Sequence, residues 1–181
     1  MSKIRWGIVG NGSIASAFAH SIKYCQYSEL IGVYGRNDDK LNSFSSKFDI
    51  KPYKDINDLI ASKEIDAVYI ATPHSSHYEY SLLAIKNKKH ILCEKPMTIN
   101  HLESMVLLNL AKEAEVFLME AYMYRVHPQT FNILDNLSIF DNKKNKITIT
   151  SSFGFSVDLP ESHRLRNPYM GGGAILDVGC Y

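Results

Sequence analysis

The chain is short of most of the features that would commit a protein to an oxidised, membrane-bound or nucleic-acid-bound role. Its cysteines number three, Cys25, Cys93 and Cys180, an odd count with no C-x-x-C spacing, which argues against both a disulfide framework and a zinc knuckle. A reducing compartment, hence a cytoplasmic location, is the expectation, with Cys93 and Cys180 read as small buried residues. Neither sign of charge is in excess: 20 Lys and Arg stand against 19 Asp and Glu. No electrostatic footprint for nucleic acid or an acidic membrane surface follows, and the densest basic cluster, Lys143-Lys144 with Lys146, reads as a solvated loop. Long hydrophobic runs are missing too. The apolar stretch after Met1 to Arg5 is far below the length of a signal peptide's core or a membrane-spanning helix, so no membrane association is expected. There is no internal repeat, no low-complexity tract, no G-x-S-x-G elbow and no G-x-x-x-x-G-K-[ST] loop, which lowers hydrolase and nucleotide-triphosphatase readings. His74 and His77 are three apart but have no carboxylate or cysteine at a familiar ligand spacing, so no metal site is expected. His101, His127 and His163 carry no separate signal.

What is present begins with Ile8-Val9-Gly10-Asn11-Gly12-Ser13-Ile14-Ala15. The apolar run Ile4 to Val9 precedes it, and Ile14, Ala15, Phe18, Ala19 and Ile22 follow at helical spacing. That is strand, tight glycine turn, helix. Gly10 permits the sharp turn, Gly12 removes a side chain where a pyrophosphate would approach, and the small Ala15 lets the helix lie close to the strand. The first-turn N–H groups, those of Ser13 and Ile14 among them, would face the phosphates, with the helix dipole favouring negative charge. A merely tight strand-to-helix turn is the plainer alternative.

The rest of the first 122 residues repeats the alternation. Leu30 to Tyr34 reads as a strand and Asp38 to Phe48 as a helix with Leu41, Phe44 and Phe48 on one face. Ile50 to Tyr53 is a candidate edge strand, limited by Pro52, with a short helix Ile56 to Ala61 behind it. Ala67 to Ala71 has the unbroken apolar character of a strand buried on both faces, ended by Thr72-Pro73. A helix marked by Tyr78, Leu82 and Ile85, a strand His90 to Cys93, a helix capped by Asn100 with Glu103, and a strand Val116 to Met119 complete the series. The expected class is α/β, a doubly wound parallel sheet of Rossmann type. After residue 122 the pattern changes. Pro128 can open a helix carrying Ile133, Leu134 and Leu137, residues 141–145 form a polar loop, and from Lys146 to Phe155 the period becomes two. Residues 1–122 are thus expected to form a dinucleotide-binding domain, and 123–181 the incomplete start of an α+β substrate domain, since one strand cannot bury its face alone.

Two constellations carry chemistry. Glu94-Lys95-Pro96 follows the fifth strand, at the carboxyl edge where a cofactor crevice opens. Lys95 there can polarise a hydroxyl or carbonyl oxygen, and Glu94 can orient the cluster; a charged surface turn is the alternative. Farther on, Gly171-Gly172-Gly173 leads to Asp177 and Tyr181, which fall at i and i+4 if the segment is helical, so that a carboxylate and a phenol can address one substrate. A free phenol, with a pKa of about 10, is a poor base at neutral pH, but an ammonium within about 4–6 Å favours the phenolate. Lys95 and Tyr181 are therefore natural partners. An ordinary helix with an aromatic core residue is the alternative here.

These motifs together, Gly10-Asn11-Gly12-Ser13-Ile14-Ala15, Ala71-Thr72-Pro73 with His77, Glu94-Lys95-Pro96, and Gly171-Gly172-Gly173 leading to Asp177, resemble the glucose-fructose oxidoreductase and inositol dehydrogenase (Gfo/Idh/MocA) family of NAD(P)-dependent oxidoreductases. The resemblance runs from Ile4 to Tyr181. It implies that Lys95 and Asp177 line a substrate site, that the residue four past Asp177 serves in proton transfer, and that the loop carrying Thr72, Pro73, His74 and His77 lies beside the cofactor with Glu94 and Lys95. Many family members have histidine where this chain has Tyr181, and the tyrosine resembles the dihydrodiol and xylose dehydrogenase branch, as do Met119-Glu120-Ala121 and Arg125. Length departs from the family, whose members continue through a full second-domain sheet and commonly associate through it, so a homo-oligomer is implied.

NADP is expected over NAD. At the tip of the second strand, Val33-Tyr34-Gly35-Arg36-Asn37, no acid stands ready for ribose hydroxyls before Asp38, which reads as a cap or first-turn residue, whereas Arg36 can pair with a 2′-phosphate. The expected function is hydride transfer between NADP(H) and a sugar-like, polyol or cyclic diol CH–OH group, with Tyr181 as acid/base, Lys95 lowering its pKa and Asp177 orienting substrate. The alternative is a sensor, or a truncated fragment, that binds NADP without turnover. The choice of substrate is not legible.

Overall fold

The computed structural model describes residues 2–139, 148, 150, 152–179 and 181. Six parallel strands, β1 (Ile4–Val9), β2 (Ser28–Tyr34), β3 (Lys51–Tyr53), β4 (Ala67–Ile70), β5 (His90–Cys93) and β6 (Leu118–Glu120), lie in the order β3-β2-β1-β4-β5-β6. Five helices connect them: α1 (Ser13–Ser21), α2 (Asp38–Phe48), α3 (Ile56–Ala61), α4 (His77–Lys86) and α5 (His101–Glu113); α6 (Pro128–Ile139) follows β6. This is the doubly wound sheet expected from the sequence. Strand order reverses between β1 and β4, and the two carboxyl ends part there to leave a crevice.

Alternation along each strand sends residues to both faces, so two cores form. Ile8, Val33 and Tyr69 face Ala15 and Ala19 of α1 and Leu41, Phe44 and Phe48 of α2. Val9, Val68, Ile70, Ile91 and Cys93 point the other way, toward Leu59 of α3, Ala84 and Ile85 of α4, and Leu107 and Ala111 of α5. Ala15 is fully buried, which is the close helix-to-strand contact its small side chain allows. Side chains start several helices: Asn37 Oδ1 accepts from Lys40 N at 2.9 Å, Asp55 Oδ1 from Asn57 N at 2.8 Å, and Asn100 Oδ1 from Glu103 N at 3.0 Å.

β2 starts two residues before the expected Leu30 and β4 ends one before Ala71; three further differences from the sequence expectation have a local cause. β6 starts at Leu118 rather than Val116, because Glu115 takes a positive φ and Val116 N donates to Ala111 O, closing the end of α5. β3 starts at Lys51 because Ile50 N donates to Ser45 O past the left-handed Asp49, closing α2. The expected alternating strand is the third. Thr148, Thr150 and residues 152–155 carry no strand, and 146, 147, 149 and 151 lie outside the described residues, as do the loop 141–145 and Cys180. A strand needs a neighbour for its N–H and C=O groups, and period-two patterning alone does not supply one.

Candidate functional site

The crevice is built on the turn after β1. Gly10 has φ +109°, and a Cβ there would stand 2.5 Å from Ala71 O, so only glycine lets the turn pass the end of β4. Gly12 has extended backbone and precedes α1, whose first turn has neither a side-chain cap nor an acidic residue. Nothing lies within 4 Å of the position a Gly12 Cβ would take. Ser13 and Ile14 thus begin a helix whose outward N–H groups open onto free space, the arrangement that suits a diphosphate. Asn11 Nδ2 is buried with no hydrogen-bond partner, a donor waiting beside the same turn.

Two hollows share this turn. One, about 210 Å³, is lined by Gly10, Asn11, Gly12, Tyr34, Gly35, Arg36, Thr72, Pro73 and Tyr80. The other, about 460 Å³, lies between α1 and α2 and is lined by Asn11, Gly12, Ser13, Ser16, Lys40 and Lys47 among others. Arg36 on one side and Lys40 and Lys47 on the other therefore bring positive charge to both sides of the glycine turn, with Asp39 as the one carboxylate lining the larger hollow. Tyr80 is half-buried with its edge toward Tyr34, and burial pushes its phenol up to about 12. A dinucleotide carrying extra phosphate fits this donor set.

Across the crevice, the loops after β4 and β5 are stitched together. Ser76 Oγ donates to Thr72 Oγ1 at 2.9 Å. His77, fully buried, lies with Nε2 2.8 Å from Thr72 O and Nδ1 2.8 Å from Pro96 O. His74 Nδ1 donates to Gly171 O at 3.0 Å, and Arg164 Nη1 donates to His74 Nε2 at 3.2 Å. A guanidinium only donates, so His74 holds its single proton on Nδ1. Burial lowers the pKa of both imidazoles. Each ring nitrogen of the pair faces a protein group, and among the described residues no group of three His, Cys, Asp or Glu gathers as a metal site would require.

Lys95 is not a surface charge. Its side chain and that of Asp177 are each 16% exposed; Nζ donates to the Asp177 main-chain carbonyl, with Asp177 Oδ1 3.5 Å away. The same ammonium lies over the Tyr181 ring, 5.0 Å from its centroid. Lys95, Asp177 and Tyr181 are therefore brought together. Asp177 sits in one π-helical turn, Ile175–Gly179, not an α-helix, and Tyr181 lies two residues past its end, so the α-helical i, i+4 relation expected between Asp177 and Tyr181 is not formed. Glu94 Oε1 accepts from Tyr69 OH at 2.5 Å, and burial with that carboxylate pushes the Tyr69 phenol up. Cys93 is fully buried, which likewise raises its thiol; Cys25 is exposed. The Lys95–Pro96 peptide bond is cis.

Sequence reading missed Asn11, Lys40, Lys47, Tyr69, Tyr80 and Arg164 as parts of this surface. It also missed the aromatic ring about Tyr181, whose ring centroid is 5.6 Å from Tyr122, 5.8 Å from Tyr124 and 6.4 Å from Phe153. Tyr80 alone had a local signal, three positions after His77 on α4.

Comparisons with known proteins agree with this geometry. A family model described as an oxidoreductase family with an NAD-binding Rossmann fold matches residues 4–122. D-xylose 1-dehydrogenase (NADP(+)) of Hypocrea jecorina is 31% identical over 98% of this chain and 51% of its own. Trans-1,2-dihydrobenzene-1,2-diol dehydrogenase of Danio rerio is 32% identical over 98% of this chain and 53% of its own. Among solved structures, an NAD-binding protein from Listeria innocua superposes with a TM-score of 0.85 at 26% identity, covering 98% of this chain and 52% of its own. The chain thus spans about half the length of the curated relatives it matches. No helix among the described residues is long and apolar enough to cross a membrane.

Proposed function

The chain belongs to the NAD-binding Rossmann-fold oxidoreductase family, Gfo/Idh/MocA, and from that premise we propose that the protein moves a hydride between NADP(H) and the CH–OH group of a sugar-like, polyol or cyclic diol substrate. The observation that carries the reading is the gathering of Lys95, Asp177 and Tyr181 at the carboxyl end of β5, across the crevice from the glycine turn. NADP, when bound, supplies the hydride acceptor. Gly12, Ser13 and Ile14 would hold its diphosphate, Arg36 would pair with its 2′-phosphate, and the loop carrying Thr72, Pro73, His74 and His77 would lie beside it with Glu94 and Lys95. Tyr181 takes the substrate hydroxyl proton as the carbon gives up its hydride; the Lys95 ammonium favours the phenolate and Asp177 accepts from a substrate hydroxyl. The relatives named for xylose and for a dihydrodiol support this substrate class, and NADP in the first one's name supports the cofactor.

Residues 1–122 act in this reading as the dinucleotide-binding domain and 123–181 as the beginning of a substrate domain, the protein being a homo-oligomer. The test compares the protein with its Lys95→Ala and Tyr181→Phe variants. Oxidation of pentoses, hexoses and cyclic diols is followed by NADPH absorbance, and NADP binding by fluorescence. A positioned acid/base contributes about 10²–10⁴-fold in rate, so each variant should lose turnover on that scale while binding NADP within a few fold. Undiminished turnover in Tyr181→Phe would overturn its role, and an inactive parent that binds NADP would favour a sensor.

A further inference from the structure

The least ordinary contact in the crevice wall is made by His77. Its two ring nitrogens each lie 2.8 Å from a main-chain carbonyl, one in the loop after β4 and one in the loop after β5. A carbonyl oxygen only accepts, so each of these contacts is a hydrogen bond only while its nitrogen carries a proton. The neutral ring has one N–H and makes one of the two; the imidazolium makes both. We propose that His77 is a positioning residue that ties the Thr72 loop to the Lys95-Pro96 loop, through one bond when neutral and through two when protonated.

What rides on the tie is Lys95. Pro96 O is the carbonyl of the next residue, so fixing it fixes the backbone that delivers the ammonium to Asp177 and Tyr181. Thr72 also lines the hollow that Gly10 and Arg36 share. His77 thus sets the spacing between the loop that reaches the glycine-turn hollow and the loop that carries Lys95, and its side chain is fully buried.

The surroundings place the proton's arrival on the acid side. Burial is the largest influence and holds the imidazole below its ordinary 6.5; Arg164 pushes it the same way, while the Pro96 and Thr72 carbonyls and the Glu94 carboxylate push it up. His74, 5.8 Å away between ring centroids, faces it from the preceding turn. The neutral, singly bonded ring is therefore the form at neutral pH, and the second tie closes as the pH falls below 6.5. The lowered value has a second consequence. The neutral ring contributes stability that is present above 6.5 and is lost as pH falls through the folded-state value.

The inference does not depend on which cofactor the crevice takes, because it is read in the free protein. Ring nitrogen-15 and main-chain carbonyl carbon-13 resonances are followed from about pH 8 to about pH 5. His77 should pass from one protonated and one bare nitrogen to two protonated ones, with a midpoint below 6.5. The carbonyl carbon of either Thr72 or Pro96, the one facing the bare nitrogen, should shift with that same midpoint, and the Lys95 amide should follow. His74 is the internal reference for a neutral ring protonated on Nδ1. In His77→Gln, whose amide can donate to one loop only, the carbonyl and Lys95 shifts should vanish; should that variant not fold, the parent's titration decides alone. A His77 ring unchanged over the whole range, or carbonyls that do not move with it, overturns the proposal.

Discussion

Gly10 shows how a single residue can be read without its surroundings. Its φ of +109° and the 2.5 Å between a would-be Cβ and Ala71 O leave no side chain admissible. Gly10→Ala should cost about 1–3 kcal/mol from backbone strain alone, with the clash adding to it, read as a lower thermal midpoint by circular dichroism. An unchanged midpoint would mean that the turn is looser than its geometry. Arg36 was legible for another reason, namely the absence of an acid at the tip of β2. Hydrogen bonds to a charged group contribute about 1.5–3 kcal/mol, so Arg36→Ala should weaken NADP by roughly 10–100-fold and leave NAD nearly unchanged in a fluorescence titration. Equal losses for the two cofactors would remove Arg36 from 2′-phosphate recognition. Other residues had no such local signature. Tyr69 meets Glu94 across 25 positions and Arg164 meets His74 across 90, and nothing in either neighbourhood announces the pairing. Local backbone demands are written locally, whereas side-chain partners are chosen by the finished fold.

At the scale of the element, starts were more legible than ends. Asn37, Asp55 and Asn100 mark helix N-termini because a short polar side chain there takes up an orphan N–H. Asn37→Ala should therefore cost about 1 kcal/mol in urea unfolding, and Asn37→Asp, which keeps the acceptor and suits the dipole, should restore it. If the aspartate is as damaging as the alanine, the cap is not what Asn37 contributes. The ends of α2 and α5 depend instead on left-handed residues, Asp49 and Glu115, that are not glycines, and this is why β3 and β6 were each placed too early. A further tie joins β1 to the start of β4. Arg5 donates from Nε and Nη2 to both oxygens of Asp66, 3.0 and 2.7 Å away. Those bonds hold the Asp66 carboxyl below its usual 3.8. A depressed carboxylate gives stability that is present above 3.8 and is lost as pH falls through the folded value. Asp66→Asn should accordingly flatten the acid limb of the stability profile below about pH 4, its effect tempered by side chains 38% and 37% exposed. An unaltered limb would show that the pair contributes nothing.

For the whole molecule, the distribution of apolar surface matters more than its amount. The four central strands, β1, β2, β4 and β5, are covered on both faces, while β3 and β6 join one core each. Outside those cores, Leu102, Met105, Val106 and Leu108 on α5 are exposed, and so, after β6, are Phe131, Ile133 and Leu134 on α6 and Phe153, Phe155 and Val157 beyond it. Isolated apolar side chains on a surface are ordinary, but six large ones concentrated in the short stretch 131–157 are not scattered singly, and surfaces of that kind are commonly covered in use. The alternation of Phe153 and Phe155 was readable in the sequence as one apolar face. What the sequence could not supply was the neighbour that would make the segment a strand. A second copy of the chain is one surface certain to be present in solution. The 181-residue chain should therefore self-associate, its mean mass by light scattering rising with concentration, and Phe131→Lys with Leu134→Lys should lower that rise while leaving the circular dichroism spectrum and NADP binding intact, since α6 lines neither hollow at the glycine turn. A constant monomer mass at high concentration, or a rise that both substitutions leave untouched, would mean that this face is not where copies meet.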